Sequence, residues 1–393
     1  MPGDLEAQVV GEQPGDGDQD AVPGPMAVPV IGLTNLGPRS GETPPSRVSW
    51  AMRAPRVRGV SRWPARAVLV LAATLLSLGV AELVLRIDDR FAPPPYRPEP
   101  IRPDLYEPFE PHGYRLWPSR TVTYRYPRDA PRTLTLTSNR DGFRSGRELD
   151  QPDDRPRLLI LGDSFVFGQG VEAEERFTNQ LESRGPGWRV DNLGMTGYGA
   201  DLMVMALEHV VERARPDAVL LCMYTDDFRR VFPYYSGVGY EIPRFRLRSG
   251  RLERRPFPHP AVWDSWRLVV GLRRLLRDDE DVMFAFDLNE AILDRYLDLA
   301  RTFDFLPGLV FLPGRSDTPV DAERRAWLGQ FAWRRYVPYL DLTDDLLFDG
   351  GPETTFIPNN WHLNPVGHRI VAERLQGFLA GRVLENNERW RAH

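Results

Sequence analysis

The stretch RLLILGDSFVFGQGV, Arg157 to Val171, constrains this chain most, because it sets a serine on a tight turn directly after a buried strand. Leu158 to Leu161 form an unbroken apolar run after the polar QPDDRPR, the pattern of a central parallel strand covered on both faces. Gly162 ends the run. Asp163 and Ser164 then fall at the carboxyl end of the strand, where open α/β sheets place their ligand sites. Gly168 and Gly170 let the backbone turn sharply. A serine here either caps an ordinary strand-to-helix turn or presents a nucleophilic hydroxyl.

With 393 residues the chain has room for one large domain with appendages or for two domains. A net charge of -5 and no basic stripe in the folded part argue against a nucleic-acid binder. Every basic side chain is arginine. Cys222 is the single cysteine, so no intramolecular disulfide forms, and its apolar flanks make it a small buried hydrophobe.

Residues 1–52 are rich in Gly, Pro, Asp and Glu without apolar periodicity, and are expected to form a disordered tail. Residues 53–90 hold a basic flank, with Arg56, Arg58, Arg62 and Arg66, and then AVLVLAATLLSLGVAELVL at 67–85. That run has the length of a membrane-spanning helix, about 20 residues. The arginines before it favour a cytoplasmic N-terminus and an extracytoplasmic main domain. Glu82 stands near the outward end. Gly79 and Ala81 leave a cleaved signal peptide as a rival, but a leader of about sixty residues is too long for the usual one.

The proline-rich 91–113 reads as an extended spacer and 114–152 as a small β-rich lead-in, with strands at SRTVTYRYP and RTLTLTS and a turn at Asp141-Gly142. From residue 153 onward strands and helices alternate, which signals a parallel sheet. Strands are expected at Arg189 to Leu193, Asp217 to Tyr224, PGLVFLPG and YVPYLDLT. Helices are expected at Glu172 to Ser183, Asp201 to Ala214, Trp263 to Arg277, Leu288 to Arg301, Asp321 to Arg334 and Val366 to Leu379. An insertion at 229–260 interrupts the alternation with a hairpin turning at Ser249-Gly250.

A nucleophilic serine needs a base, and only six histidines exist. Asn364 and Pro365 start the closing helix as N-cap and first residue, so His362 sits in the loop just before it, on the sheet edge that also carries Ser164. His209 and His368 fall inside helices, His259 in a proline-flanked loop, and His112 and His393 outside the α/β core.

With these residues in hand, the chain from about Pro156 to Leu379 resembles the SGNH (GDSL-type) hydrolase superfamily. The marks are Gly162-Asp163-Ser164-Phe165, Asn192-Leu193-Gly194, the strand-end Thr225-Asp226-Asp227 and His362 within WHLNPVGH. TSNRDGFRS and the anchor ending AELVLR also look like a membrane-tethered subgroup linked with envelope polysaccharide modification. The resemblance implies a flavodoxin-like three-layer α/β/α sandwich with a five-stranded parallel sheet, preceded by the transmembrane helix and the β-rich segment. It implies an esterase or O-acyltransferase that needs no metal or cofactor. Ser164 would be the nucleophile and His362 its base, with the Ser164 and Gly194 N–H groups facing the oxyanion and Asn192 among the binding residues. The partners would be an acylated carbohydrate or other ester, the membrane through one helix, and envelope polysaccharide machinery.

Two positions depart from the pattern. Asp226 stands where a third oxyanion donor, an asparagine, is expected; Thr225 is the substitute. Asn359 stands three residues before His362, where an aspartate orients the ring, with Asn360 beside it. These departures support an alternative: a catalytically silent glycan-binding or scaffold subunit with the same fold.

Overall fold

The computed structural model describes residues 63–87, 102–126, 132–185, 187–232, 242–255, 266, 268–269, 272 and 280–383. The expected tail, the arginine flank at 53–62, the APPPYRPEP spacer and most of the Trp263–Arg277 helix lie outside these residues.

Helix α1, Trp63–Ile87, contains the expected anchor. Its segment Arg66–Leu85 has mean hydropathy 2.4, and 20 residues at the helical rise extend about 30 Å, the thickness of a bilayer core. From Val68 to Val84 its large apolar side chains are exposed, whereas the Glu82 carboxylate is buried and accepts the Leu268 N–H at 2.9 Å.

The β-rich part is larger than expected. Strands β1, Tyr106–Phe109, and β2, Gly113–Leu116, pair antiparallel, so ordered structure begins inside the stretch read as spacer. The anticipated pair follows as β3, Thr121–Arg125, and β4, Thr133–Thr137. Leu134 and Leu136 on β4 alternate inward with outward threonines, the period-two signature of a half-buried strand.

The main sheet has five parallel strands: β5, Arg157–Gly162, β6, Arg189–Gly194, β7, Ala218–Tyr224, β10, Leu306–Leu312, and β11, Tyr339–Asp341. Their spatial order is β11-β10-β7-β5-β6. Between β7 and β10 the insertion forms the hairpin β8, Arg244–Arg248, and β9, Arg251–Arg255. Ser249 and Gly250 both take positive φ, as a two-residue hairpin turn requires. Because successive strand residues face opposite ways, Leu159 and Leu161 of β5 enter one core and Leu158 and Ile160 the other.

Helices α4, Ala200–Ala214, α6, Glu280–Phe303, and α7, Pro319–Arg334, cover the first face; α3, Phe177–Arg184, and α9, Pro365–Phe378, cover the second. The result is the expected three-layer α/β/α sandwich. Shorter helical pieces include α2, Ser164–Phe167, α5, Asp227–Arg230, and α8, Pro352–Thr355, with π-helical turns at Asp344–Asp349 and Leu379–Val383. Connections leave β5 and its neighbour, the central β7, toward opposite sides, so the loops after these two strands open a crevice at their carboxyl ends.

Asp191 on β6 fastens the far end of this sheet. It is 2% exposed and meets Arg189 and Arg157 at 2.9 Å each and Arg147 at 3.2 Å. Removing its charge strands buried guanidinium groups. Asp191→Asn is therefore expected to cost about 3–5 kcal/mol, read as a lowered urea midpoint for the full chain in detergent micelles.

His368 and His112 are buried, and burial pushes both down to about 3. Unfolding restores a value near 6.5, so between about 3 and 6.5 the unfolded chain binds more protons than the native one. Stability is expected to fall as pH drops through that window, checked by unfolding midpoints at pH 7, 5 and 4.

Candidate active site

Gly162 closes β5, and Asp163 caps α2 by accepting the Phe165 N–H at 2.9 Å. This makes Ser164 the first residue of a short buried helix over the sheet edge. Asn192 on β6 holds that helix from the side. Its amide nitrogen donates to the Val166 carbonyl at 2.5 Å and to Thr178 Oγ1 at 3.0 Å, while its oxygen accepts the Gly194 N–H at 2.9 Å. A Cβ on Gly194 would collide with the Phe167 nitrogen and the Val166 carbonyl carbon. Gly194 thus serves close packing under α2, and its N–H, expected to face an oxyanion, is already engaged.

The second half of the site is the loop between α8 and α9. Phe356 and Leu363 bridge its base, and the Ile357 N–H donates to the His362 carbonyl at 2.9 Å. Arg315 grips the loop from outside, donating to the carbonyls of Ile357 at 2.9 Å and Asn360 at 3.1 Å. Asn364 caps α9 through the Val366 and Gly367 N–H groups, as its place before Pro365 implied.

These two halves bring Ser164 and His362 together across 198 positions of sequence. His362 Nε2 lies 2.8 Å from Ser164 Oγ, and both residues are buried. On the other side of the ring, Nδ1 lies 2.9 Å from Asn360 Oδ1 and 2.8 Å from the Tyr126 hydroxyl. The amide at the ring is therefore Asn360, not Asn359. Asn359 takes a positive φ of 55° and turns the chain, which displaces the contact by one residue. Burial and the nearby Arg230 guanidinium push His362 down to about 3, so the ring is neutral at physiological pH.

Asp226 does not face the serine. Its half-buried carboxylate pairs with Arg229 at 3.0 Å and Arg324 at 3.6 Å. Thr225 is buried with its hydroxyl on Asp321, so neither of the two expected substitutes presents a free donor. The charge beside the serine comes instead from Asp163, already marked in the Gly-Asp-Ser block, and from Arg230, for which no role was expected. Asp163 Oδ2 lies 3.2 Å from Ser164 Oγ and 2.8 Å from Arg230, which also meets Asp227 at 2.6 Å. Asp227 accepts the Tyr224 N–H at 2.8 Å. Burial, then the neighbouring Asp163, pushes Asp227 well above the ordinary carboxylate range against the pull of Arg230.

Tyr126, immediately after β3, was likewise not foreseen; no spacing rule links a strand-end tyrosine to a loop 236 residues on. The signal for Arg230 was the TDDFRR run at the end of β7. A cavity of about 560 Å³ opens behind α2 among Arg144, Arg147, Arg176 and Asn192, and Ser164 and His362 do not line it. Among the described residues no cluster of three or more metal-ligating side chains occurs.

A neutral imidazole facing a buried hydroxyl can remove its proton as the oxygen attacks a carbonyl. Comparison with known proteins bears on this arrangement. The solved structures similar to this chain include a lipolytic protein of the G-D-S-L family from Desulfitobacterium hafniense, 14% identical over 57% of this chain and 100% of that one, with a TM-score of 0.39. Another is the psychrotrophic esterase EstA from a Pseudoalteromonas species, 12% identical over 57% of this chain and 96% of that one, also with a TM-score of 0.39. No curated protein matches the sequence. Residues 160–370, more than half of the chain and spanning both Ser164 and His362, match the GDSL-like Lipase/Acylhydrolase family, and it is to this family that the chain belongs.

Proposed function

We propose that this chain is a membrane-anchored serine esterase or O-acyltransferase whose nucleophile is Ser164 and whose base is His362. The observation that carries the reading is the 2.8 Å contact between His362 Nε2 and Ser164 Oγ at the carboxyl end of β5. In the proposed reaction Ser164 Oγ attacks an acyl carbonyl while its proton passes to Nε2. The Ser164 N–H faces the oxyanion. The tetrahedral intermediate collapses as the imidazolium returns the proton to the leaving alkoxide, leaving an acyl-serine. Water releases the acid; a sugar hydroxyl, entering in its place, receives the acyl group.

The substrate we assign is an acyl ester of an envelope carbohydrate. It is supported by the likeness of TSNRDGFRS and AELVLR to a tethered subgroup and by Trp361. That indole is 59% exposed, with its ring 6.1 Å from the His362 ring, a position suited to stacking on a sugar. The arginines ahead of α1 support a cytoplasmic N-terminus and a main domain outside the cytoplasm, within reach of envelope polysaccharide machinery.

A second reading, a catalytically silent glycan-binding subunit, is favoured by the engaged Gly194 N–H and by Asp226 lying against arginines. The two readings divide on whether Ser164 is activated. The full chain in detergent micelles is expected to react with a fluorophosphonate probe. Ser164→Ala is expected to abolish labelling, and His362→Ala to slow it on the order of 10³-fold or more. A folded wild-type chain that stays unlabelled would favour the silent subunit.

A further inference from the structure

The Nδ1 side of His362 is where a Ser-His system ordinarily carries a carboxylate. Among the described residues no carboxylate is hydrogen-bonded to the His362 ring. Asn360 and Tyr126 occupy the place, and their geometry fixes which atoms do what. The His362 backbone N–H, a pure donor, lies 3.0 Å from the same Asn360 amide atom that lies 2.9 Å from Nδ1. That atom must be the oxygen. An oxygen facing Nδ1 calls for a proton on Nδ1, which leaves the Nε2 lone pair for Ser164. Asn360 Nδ2 points back at the Tyr126 hydroxyl, 3.4 Å away, so the phenol oxygen accepts from both Asn360 and the ring.

Tyr126 is itself held in place. Its ring packs edge-on to the imidazole with centroids 5.4 Å apart. Gly170, at φ +93°, leaves space shared by Ile357 and Tyr126: a Cβ there would collide with Ile357 Cδ1 and stand 3.3 Å from the Tyr126 ring. Burial holds the phenol above its ordinary range, so it stays protonated and uncharged.

We propose that Tyr126 is a positioning residue: with Asn360 it forms a pair of neutral oxygen dipoles that fix the tautomer of His362 in place of a carboxylate, so that the β-rich segment completes a site otherwise built by the α/β domain. The role rests on the reading of Ser164 and His362 as nucleophile and base. The titratable and charged groups around the imidazole are Ser164 with Asp163 behind it, Arg230 from α5, Tyr126 from the end of β3 and His368 from α9. Asp163 is salt-bound to Arg230, so no free anion offsets an imidazolium there.

The test is made on the full chain in detergent micelles with ¹⁵N-labelled histidine, following both the His362 nitrogen shifts against pH and the rate of fluorophosphonate labelling. The wild type is expected to show the Nδ1–H tautomer. Tyr126→Phe is expected to slow labelling about tenfold, the worth of one hydrogen bond. Asn360→Asp is expected to move the His362 titration upward and to speed labelling at neutral pH. In the double variant the new carboxylate should make the phenol redundant, so that it labels as fast as Asn360→Asp alone.

Labelling by Tyr126→Phe at the wild-type rate with an unchanged pH profile, or an Asn360→Asp imidazole that titrates where the wild type does, overturns the proposal. Labelling that needs Ser164 and His362 but not Tyr126 keeps the enzyme reading and removes this one. If the wild type does not label, the enzyme reading falls and the nitrogen shifts alone decide: a displaced tautomer in Tyr126→Phe and a raised titration in Asn360→Asp uphold the positioning role, and their absence overturns it.

Discussion

One buried guanidinium decides where the serine turn can sit. Arg144 is 1% exposed and donates to the carbonyls of Phe167, Gly168 and Val171, directly after α2, and to the carbonyl of Thr135 on β4. A charged group so far from water is tolerable only when most of its donors find acceptors, and both terminal nitrogens of Arg144 do, while Nε does not. These acceptors come from two parts of the chain, and they converge only when β4 lies against the loop that follows the serine. The β-rich segment and the nucleophile turn therefore fix each other. Asn192 does the same from the sheet side, tying the carbonyl of Val166 to β6.

The charges of the site are distributed unlike those of a Ser-His-Asp system. There, an anion behind the imidazole stabilises the imidazolium formed during attack. Here the salt-bridged groups stand on the serine side: Arg230 is shared by Asp163 and Asp227, and the imidazole is backed by an amide and a phenol. Such an imidazole is a weak base, available over a wide pH range, because little stabilises its protonated form. On the proposed reading, the arrangement suits an acyl carbonyl whose attack needs only modest basicity, with the Ser164–His362 contact kept and the aspartate of the usual pattern replaced by an amide and a phenol.

Much of this was legible in the sequence. The apolar runs of β5, β7 and β10, separated by helical periods, announced a parallel sheet covered on both faces. The search for a base among six histidines led to the one that touches Ser164. What was not legible depends on backbone turns and on distance along the chain. Counting three residues back from His362 gave Asn359, but a left-handed turn there hands the contact to Asn360. The family resemblance implied Gly194 as an oxyanion donor; its N–H is held by Asn192, and its bare Cα makes room for α2. Asp226 read as an ill-placed charge in the site, whereas the start of α5 turns it toward Arg229 and Arg324. Tyr126 left no trace beyond an alternating strand, since nothing local ties it to a loop 236 residues later.

Tyr126 lies outside residues 160–370, the span shared with the family. Ser164 and His362 both fall within the shared span, while one of the two groups behind the imidazole belongs to a segment upstream of it. On the proposed reading, change in that segment retunes the histidine while every shared residue stays the same. The family span then supplies the chemistry, and the decoration upstream of it sets how strongly that chemistry is expressed.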